Sequence, residues 1–134
     1  VSDIIKAFMD ESSPYVSYPY LTSINSVLPA IIAGNSVLLK PSPQTPLTAE
    51  RLALALDRAG LPENVFKVLH LSPLLATFVV QHPVVSFVSF TGSVAGGRSV
   101  EKAAAEAIGI KGVALEVKFT IFHADRHCIN VVRS

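Results

Sequence analysis

The sequence predicts an α/β domain built on a parallel sheet covered by helices. Short apolar runs bounded by Gly and Pro alternate with longer segments of helical periodicity. The chain has 134 residues, the size of a single domain whose core needs neither disulfide nor metal. Half of its residues are hydrophobic and mean hydropathy is +0.48. Its longest apolar runs, 27–33 and 84–88, are still too short to span a bilayer. They suit buried parallel strands and core helices.

Taken in order, residues 3–11 predict a short amphipathic helix with Ile4, Ile5 and Phe8 on one side, broken by Ser12-Ser13-Pro14. Over 21–33 the residues Leu21, Ile24, Leu28, Ile31 and Ile32 recur at helical spacing, and Gly34-Asn35 is the stop. Pro29, inside that stretch, either kinks the helix or marks its break. Val37-Leu38-Leu39 reads as a buried strand. The next helix opens with Thr45 as N-cap and Pro46 at the first position, and runs to Gly60. A second strand spans 65–69, a helix starting at Ser72-Pro73 runs to about 81, and a third strand spans 84–90. An alanine-rich helix covers 94 to about 107 and a fourth strand covers 112–117. This β-α-β-α-β-α-β alternation requires a parallel sheet, with right-handed crossovers expected.

Composition excludes several classes. Net charge is +1 with scattered basic residues, so nucleic acid is not an expected partner. One cysteine, Cys128, rules out an internal disulfide framework and fits a reducing, cytoplasmic compartment. No leader peptide is evident, because Lys6 interrupts the apolar start. The high hydropathy fits either core packing or surface meant for another domain or subunit.

The most informative stretch is Ser89-Phe90-Thr91-Gly92-Ser93-Val94-Ala95-Gly96-Gly97. A strand passes through glycine straight into a helix, which aims free N–H groups and a helix dipole at one spot, the usual place for phosphate. Taken alone it also fits a plain β-α turn. No G-x-G-x-x-G is present. Lys40 alone reads as a solvated strand end, and Glu116 as a strand-end carboxylate reaching water. His70 and His82 read as loop or strand-end residues. His123, Asp125, His127 and Cys128 lie close in sequence. Residues 119–122 read as strand, however, and no partner ligands lie elsewhere, so no metal site is expected.

Phe90-Thr91-Gly92-Ser93 followed by Gly97, the string Gly34-Asn35 to Lys40-Pro41-Ser42 and Thr45-Pro46, and Ala59-Gly60-Leu61-Pro62 together resemble the aldehyde dehydrogenase family over about residues 18–116. The resemblance implies a Rossmann-like parallel sheet flanked by helices, most of that family's cofactor domain. It divides the chain into an N-terminal segment 1–17, an NAD(P)-binding α/β domain 18–116 and a divergent tail 117–134.

By the same resemblance Lys40, with Ser42, contacts the adenosine ribose, and Gly92, Ser93, Val94 and Gly97 bind the pyrophosphate. NAD-preferring members carry a glutamate where this chain has Pro43. Proline does not repel a 2′-phosphate, so the cofactor is expected to be NAD or NADP. Glu116, in Leu115-Glu116, matches the family's general base, which activates the deacylating water. The two glycines that follow in the family are missing, and Phe119 falls in the space they leave for nicotinamide. Ser17 stands where the family places its oxyanion-binding asparagine.

After Glu116 the resemblance stops, which reads as a truncated, spliced or frame-altered end. The nucleophilic cysteine would fall beyond Ser134, and Cys128 comes too early for it. The implied activity is oxidation of an aldehyde to a carboxylic acid with NAD(P)+, the chain alone being inactive. The alternatives are a pseudo-enzyme or regulatory domain pairing with a full-length subunit, a homo-oligomer, or an unrelated α/β binding domain.

Overall fold

The computed structural model describes residues 6–11, 19–117, 119–120 and 130–131. In chain order the elements are β1 (Lys6–Glu11), α1 (Pro19–Ile32), β2 (Ser36–Lys40), α2 (Pro46–Arg58), β3 (Phe66–Val68), α3 (Pro73–Gln81), β4 (Val85–Gly92), α4 (Val94–Ala105), β5 (Gly112–Val117), β6 (Phe119–Thr120) and β7 (Asn130–Val131). The first five strands form one parallel sheet in the order β3-β2-β1-β4-β5. The short β6 and β7 pair antiparallel, apart from that sheet.

The helix expected over 3–11 is corrected: Lys6–Glu11 is the central strand, paired to β2 on one edge and β4 on the other. Its residues Lys-Ala-Phe-Met-Asp-Glu are mostly good helix formers with no β-branched member. Pairing on both edges overrides that local preference. The sheet therefore has five strands where four were expected, and it reaches back into the segment 1–17.

Helix ends follow the sequence closely. α1 continues through Pro29, since Ala33 N–H donates to the Pro29 carbonyl at 3.0 Å, so Pro29 is not the break. The helix stops at Gly34 (φ 84°), where Gly34 N–H reaches Ile31 O and Asn35 N–H reaches Ala30 O. This is the paired closure that a left-handed glycine permits. α2 stops identically at Gly60, with Leu61 N–H on Leu56 O. The start of α2 differs from expectation: Thr45 stands at the cap position but its side chain makes no capping bond. Its backbone (φ −131°, ψ 48°) lies outside the extended region typical of a cap.

The sheet separates two apolar layers. On one face Val37 and Leu39 pack with Val27 of α1, Ala49 and Leu52 of α2, and Phe66. On the other face Val85, Val88 and Phe90 pack with Ala76 and Val80 of α3 and Val100, Ala103 and Ala104 of α4. A register shift between Lys6 and Ala7, where β4 carries one extra residue, lets Val85 and Val88 face the same layer. At the amino end of the sheet, Lys111 Nζ donates to His82 O at 2.6 Å and also to Val85 O, tying the start of β5 to the start of β4. Burial holds the pKa of this lysine below its ordinary value. Among the described residues no helix is long and apolar enough to cross a membrane.

Candidate functional site

Strand register lines up the carboxyl ends. Asp10 lies opposite both Lys40 and Phe90, and Thr91 lies opposite both Glu11 and Glu116. Between β1 and β4 the connections reverse direction, because β1 leads outward through β2 to β3 before the chain returns to β4. Open α/β sheets bind their ligands at the carboxyl end of such a switch point.

The β4–α4 junction is a single residue, Ser93, between Gly92 and Val94. Ser93 caps α4, its Oγ accepting from Gly96 N–H at 3.1 Å. The hydroxyl proton stays available to an anion. The N–H groups of Val94 and Ala95 have no intrahelical acceptor, as in any first helical turn. Beneath the junction lies the Phe90 ring, only 2% exposed. A Cβ on Gly92 or on Gly96 would come within 2.6 Å of Phe90 Cζ. One on Gly97 would lie 2.8 Å from Val117 Cγ1. These glycines let the helix start sit directly on the ring and against β5, and Gly97 is a packing position.

Behind this junction, α3 and α4 flank a cleft of about 170 Å³ lined chiefly by Pro73, Ala76, Val80, Gly96, Val100 and Ala103, with Phe90 at its floor. That is room for a flat ring, not for a whole dinucleotide; complete small-molecule pockets run to roughly 300–1,000 Å³. An apolar slot beside a capped helix N-terminus fits a heteroaromatic ring joined to a phosphate. The sequence reading missed this slot. Its signal was the small residues Ala76, Gly96 and Ala103 on two helices that pack together. A larger cavity of about 580 Å³ lies between α2 and β3, where Glu50, Asp57 and Glu63 line it against Lys67 as its one basic residue. Its carboxylates disfavour phosphate.

Lys40 is 2% exposed, so the solvated strand end is corrected: its ammonium is taken up by the fold. It shares strand parity with Leu38, which packs against the α3/α4 layer, so it faces the side that carries the cleft. Ser42 is buried too, and its Oγ accepts from Gln44 N–H at 3.3 Å, bracing the loop. Pro43 is exposed. Glu116 stands at the same end of the sheet, but Val113, Leu115 and Val117 turn toward the α3/α4 layer, so it faces the opposite side and is exposed. Ser17, and the cluster His123, Asp125, His127 and Cys128, lie outside the described residues. Phe119 lies in β6, and its side chain is outside the description.

The sequence pattern of the Aldehyde dehydrogenase family matches residues 14–118. The chain belongs to the aldehyde dehydrogenase family. It is 39% identical over 101 residues to 4-trimethylaminobutyraldehyde dehydrogenase A of Danio rerio, a match covering 75% of this chain and 20% of that protein. The chain thus spans about a fifth of the length of the curated aldehyde dehydrogenases it matches. Its fold is similar to the crystal structure of an NAD-dependent benzaldehyde dehydrogenase from Corynebacterium glutamicum. There the TM-score is 0.77 at 32% identity, covering 88% of this chain and 25% of that one. It is similar also to an indole-3-acetaldehyde dehydrogenase complexed with NAD+, with TM-score 0.75 at 32% identity, covering 85% and 22%. The aldehyde dehydrogenase family uses NAD(P)+, and the partial Rossmann-like sheet seen here is the fold shared with these structures.

Proposed function

We propose that these residues form the adenosine and pyrophosphate half of the cofactor site of an NAD(P)-dependent aldehyde dehydrogenase. The observation that carries this reading is the apolar α3–α4 cleft opening beside the Ser93-capped start of α4. In this reading the adenine ring enters the cleft. The pyrophosphate meets the Ser93 hydroxyl and the N–H groups of Val94 and Ala95, while Gly92 and Gly97 let that helix start seat on Phe90 and against Val117. Lys40 binds the ribose, with Ser42 holding its loop. Pro43 brings no carboxylate against a 2′-phosphate, so both NAD and NADP are accepted. Bound cofactor supplies a hydride acceptor.

Glu116 is proposed as the water-activating base, its exposed carboxylate able to take a proton. Ser17 is proposed for the oxyanion position. The family's nucleophilic cysteine has no counterpart at a matching position in these 134 residues. This stretch by itself is therefore proposed to bind cofactor without oxidising aldehydes, in a cytoplasmic setting.

The test is a melt followed by circular dichroism, with and without millimolar NAD+ or NADP+. A ligand that binds only the folded state adds about 2.7 kcal/mol at a hundredfold excess over Kd. An upward shift of the midpoint is expected with both ligands, and a cooperative melt that neither moves would overturn the reading.

A second reading, a pseudo-enzyme or regulatory domain pairing with a full-length subunit, is favoured by the apolar side chains exposed on α3. Leu74 is 80% and Phe78 66% exposed. Mixing with a purified full-length relative should then give a co-eluting complex on size exclusion. Separate elution counts against it.

A further inference from the structure

Lys40 carries an ammonium on a residue that is only 2% exposed. A buried charge is kept where an opposite charge and hydrogen bonds meet it. Strand register shows which carboxylate stands nearest. Asp10 of β1 lies directly opposite Lys40 of β2. Neighbouring strands run about 4.8 Å apart, and residues in register across them share a face. Asp10 also lies opposite Phe90 of β4, which is buried in the α3/α4 layer. Two positions earlier, Phe8 lies opposite Leu38 and Val88, both packed in that layer. Both edges of β1 therefore place Asp10 on the face that Lys40 takes, between Lys40 and the aromatic seat of α4.

The other carboxylates of the described residues stand elsewhere. Glu11 follows Asp10 along β1 and so takes the opposite face, beside Thr91. Glu116 faces that same side and is exposed. Glu50 is held by His70 at 2.6 Å and lines the α2/β3 cavity with Asp57 and Glu63. α3 carries no charged residue. On α4, Glu101 is exposed and Glu106 sits at the far end beside Lys102. We infer that Asp10 is the counter-charge of Lys40, a positioning residue that fixes the ammonium and keeps the ribose end neutral toward a 2′-phosphate. The effect on cofactor choice rests on the cofactor reading above; the pairing does not. Paired, the two side chains sum to no net charge, so a 2′-phosphate gains nothing there over a 2′-hydroxyl. Released from Asp10, the ammonium would attract the dianion.

The test uses the whole 134-residue chain. Melts followed by circular dichroism compare Asp10→Asn, Lys40→Met and the double variant. Asp10→Asn strands the buried ammonium and should lower the midpoint by about 10 °C. Adding Lys40→Met should restore most of that loss, since no charge is then left unpaired. Additive losses overturn the pair. If Asp10→Asn does not fold, a cooperative melt of the double variant supports the pair and its absence overturns it. Calorimetric titration with NAD+ and NADP+ reads the ligand side as a ratio of affinities. In Asp10→Asn, NADP+ should tighten about three- to tenfold relative to NAD+. Lys40→Met, which leaves the carboxylate, should move the ratio the other way, and Asp10→Glu, which keeps both charges, should leave it within about twofold. A ratio that stays within about twofold in both Asp10→Asn and Lys40→Met overturns the effect on cofactor choice. Binding of neither cofactor by the unaltered chain overturns the cofactor reading and that effect with it, while the melts still decide the pair.

Discussion

Two strand-to-helix junctions stand at the same end of the sheet and solve different problems. The β2–α2 junction spends five residues, 41–45, and the β4–α4 junction spends one, Ser93. The long one buries side chains, Lys40 and Ser42, and opens its helix with a proline and an inactive cap at Thr45. A proline at the first position offers no N–H to a ligand. The short junction presents backbone, with an active serine cap and two glycines in the first turn, seated on a buried phenylalanine. One junction buries its charged side chain, and the other can offer amide groups and a helix dipole to a ligand. The difference lies in where Pro and Gly fall.

The largest effect should come from the seat of the short junction. Phe90→Ala is expected to cost about 3–5 kcal/mol, because it empties a fully packed site beneath both α4 and the cleft. Gly96→Ala should cost about 1–3 kcal/mol through overpacking against the same ring. Phe90→Leu should recover part of that loss if the ring is the cause. Denaturant unfolding of the single and double variants measures the coupling, and simple additivity would break the account of the glycines.

Lys40→Met tests the side-chain junction. We expect a loss of about tenfold or more in NAD(P) affinity, from a lost charge-assisted contact, together with a smaller change in melting midpoint. Equal cofactor affinity in the variant would assign Lys40 to the fold alone.

The caps sharpen the contrast. Ser93→Ala should cost about 1 kcal/mol and also weaken cofactor binding. Ser72→Ala removes a similar cap on α3, where Ser72 Oγ accepts from Leu75 N–H at 3.4 Å. It should cost stability with little effect on binding. Thr45→Ala should cost only a few tenths of a kcal/mol, because its hydroxyl caps nothing. Chemical denaturation of the three variants side by side would expose an error in any of these roles.

The smallest effect belongs to the far end of the sheet. The folded pKa of Lys111 lies below its ordinary 10.5, so in alkaline solution the unfolded chain holds more protons at this site than the folded one. Its contribution to stability should therefore rise with pH from the folded pKa up to about 10.5 and level off above it. Lys111→Met should flatten that slope. Unfolding free energies of both proteins across pH 8 to 11 are the check; parallel curves would discount the burial of the ammonium.

Much of this was legible in the chain. Gly34 and Gly60 announce their helix stops because few other residues take a positive φ. Ser72-Pro73 and Ser93 announce helix starts because the cap is a local bond across three residues. Thr45 gave the same signal wrongly, since composition does not report whether the backbone before the helix is extended. β1 was missed for the opposite reason. Lys6–Glu11 has no strand signature of its own, and only the gap between β2 and β4 makes it a strand. The α3–α4 cleft was missed because Ala76, Val80, Val100 and Ala103 read as ordinary core faces, and the space between two helices is a property of neither alone. His70 read as a loop residue until Glu50, 20 positions earlier in the chain, was found beside it.

By itself the sequence determined the alternation of strands and helices, the turn chemistry at their ends and the family, because each of these rests on local periodicity, local hydrogen bonds or short motifs. Tertiary structure decided which segment lies at the centre of the sheet, which face each strand-end side chain takes, and where a ring could lie. Those depend on register and helix packing between segments far apart in the chain, which no local pattern encodes.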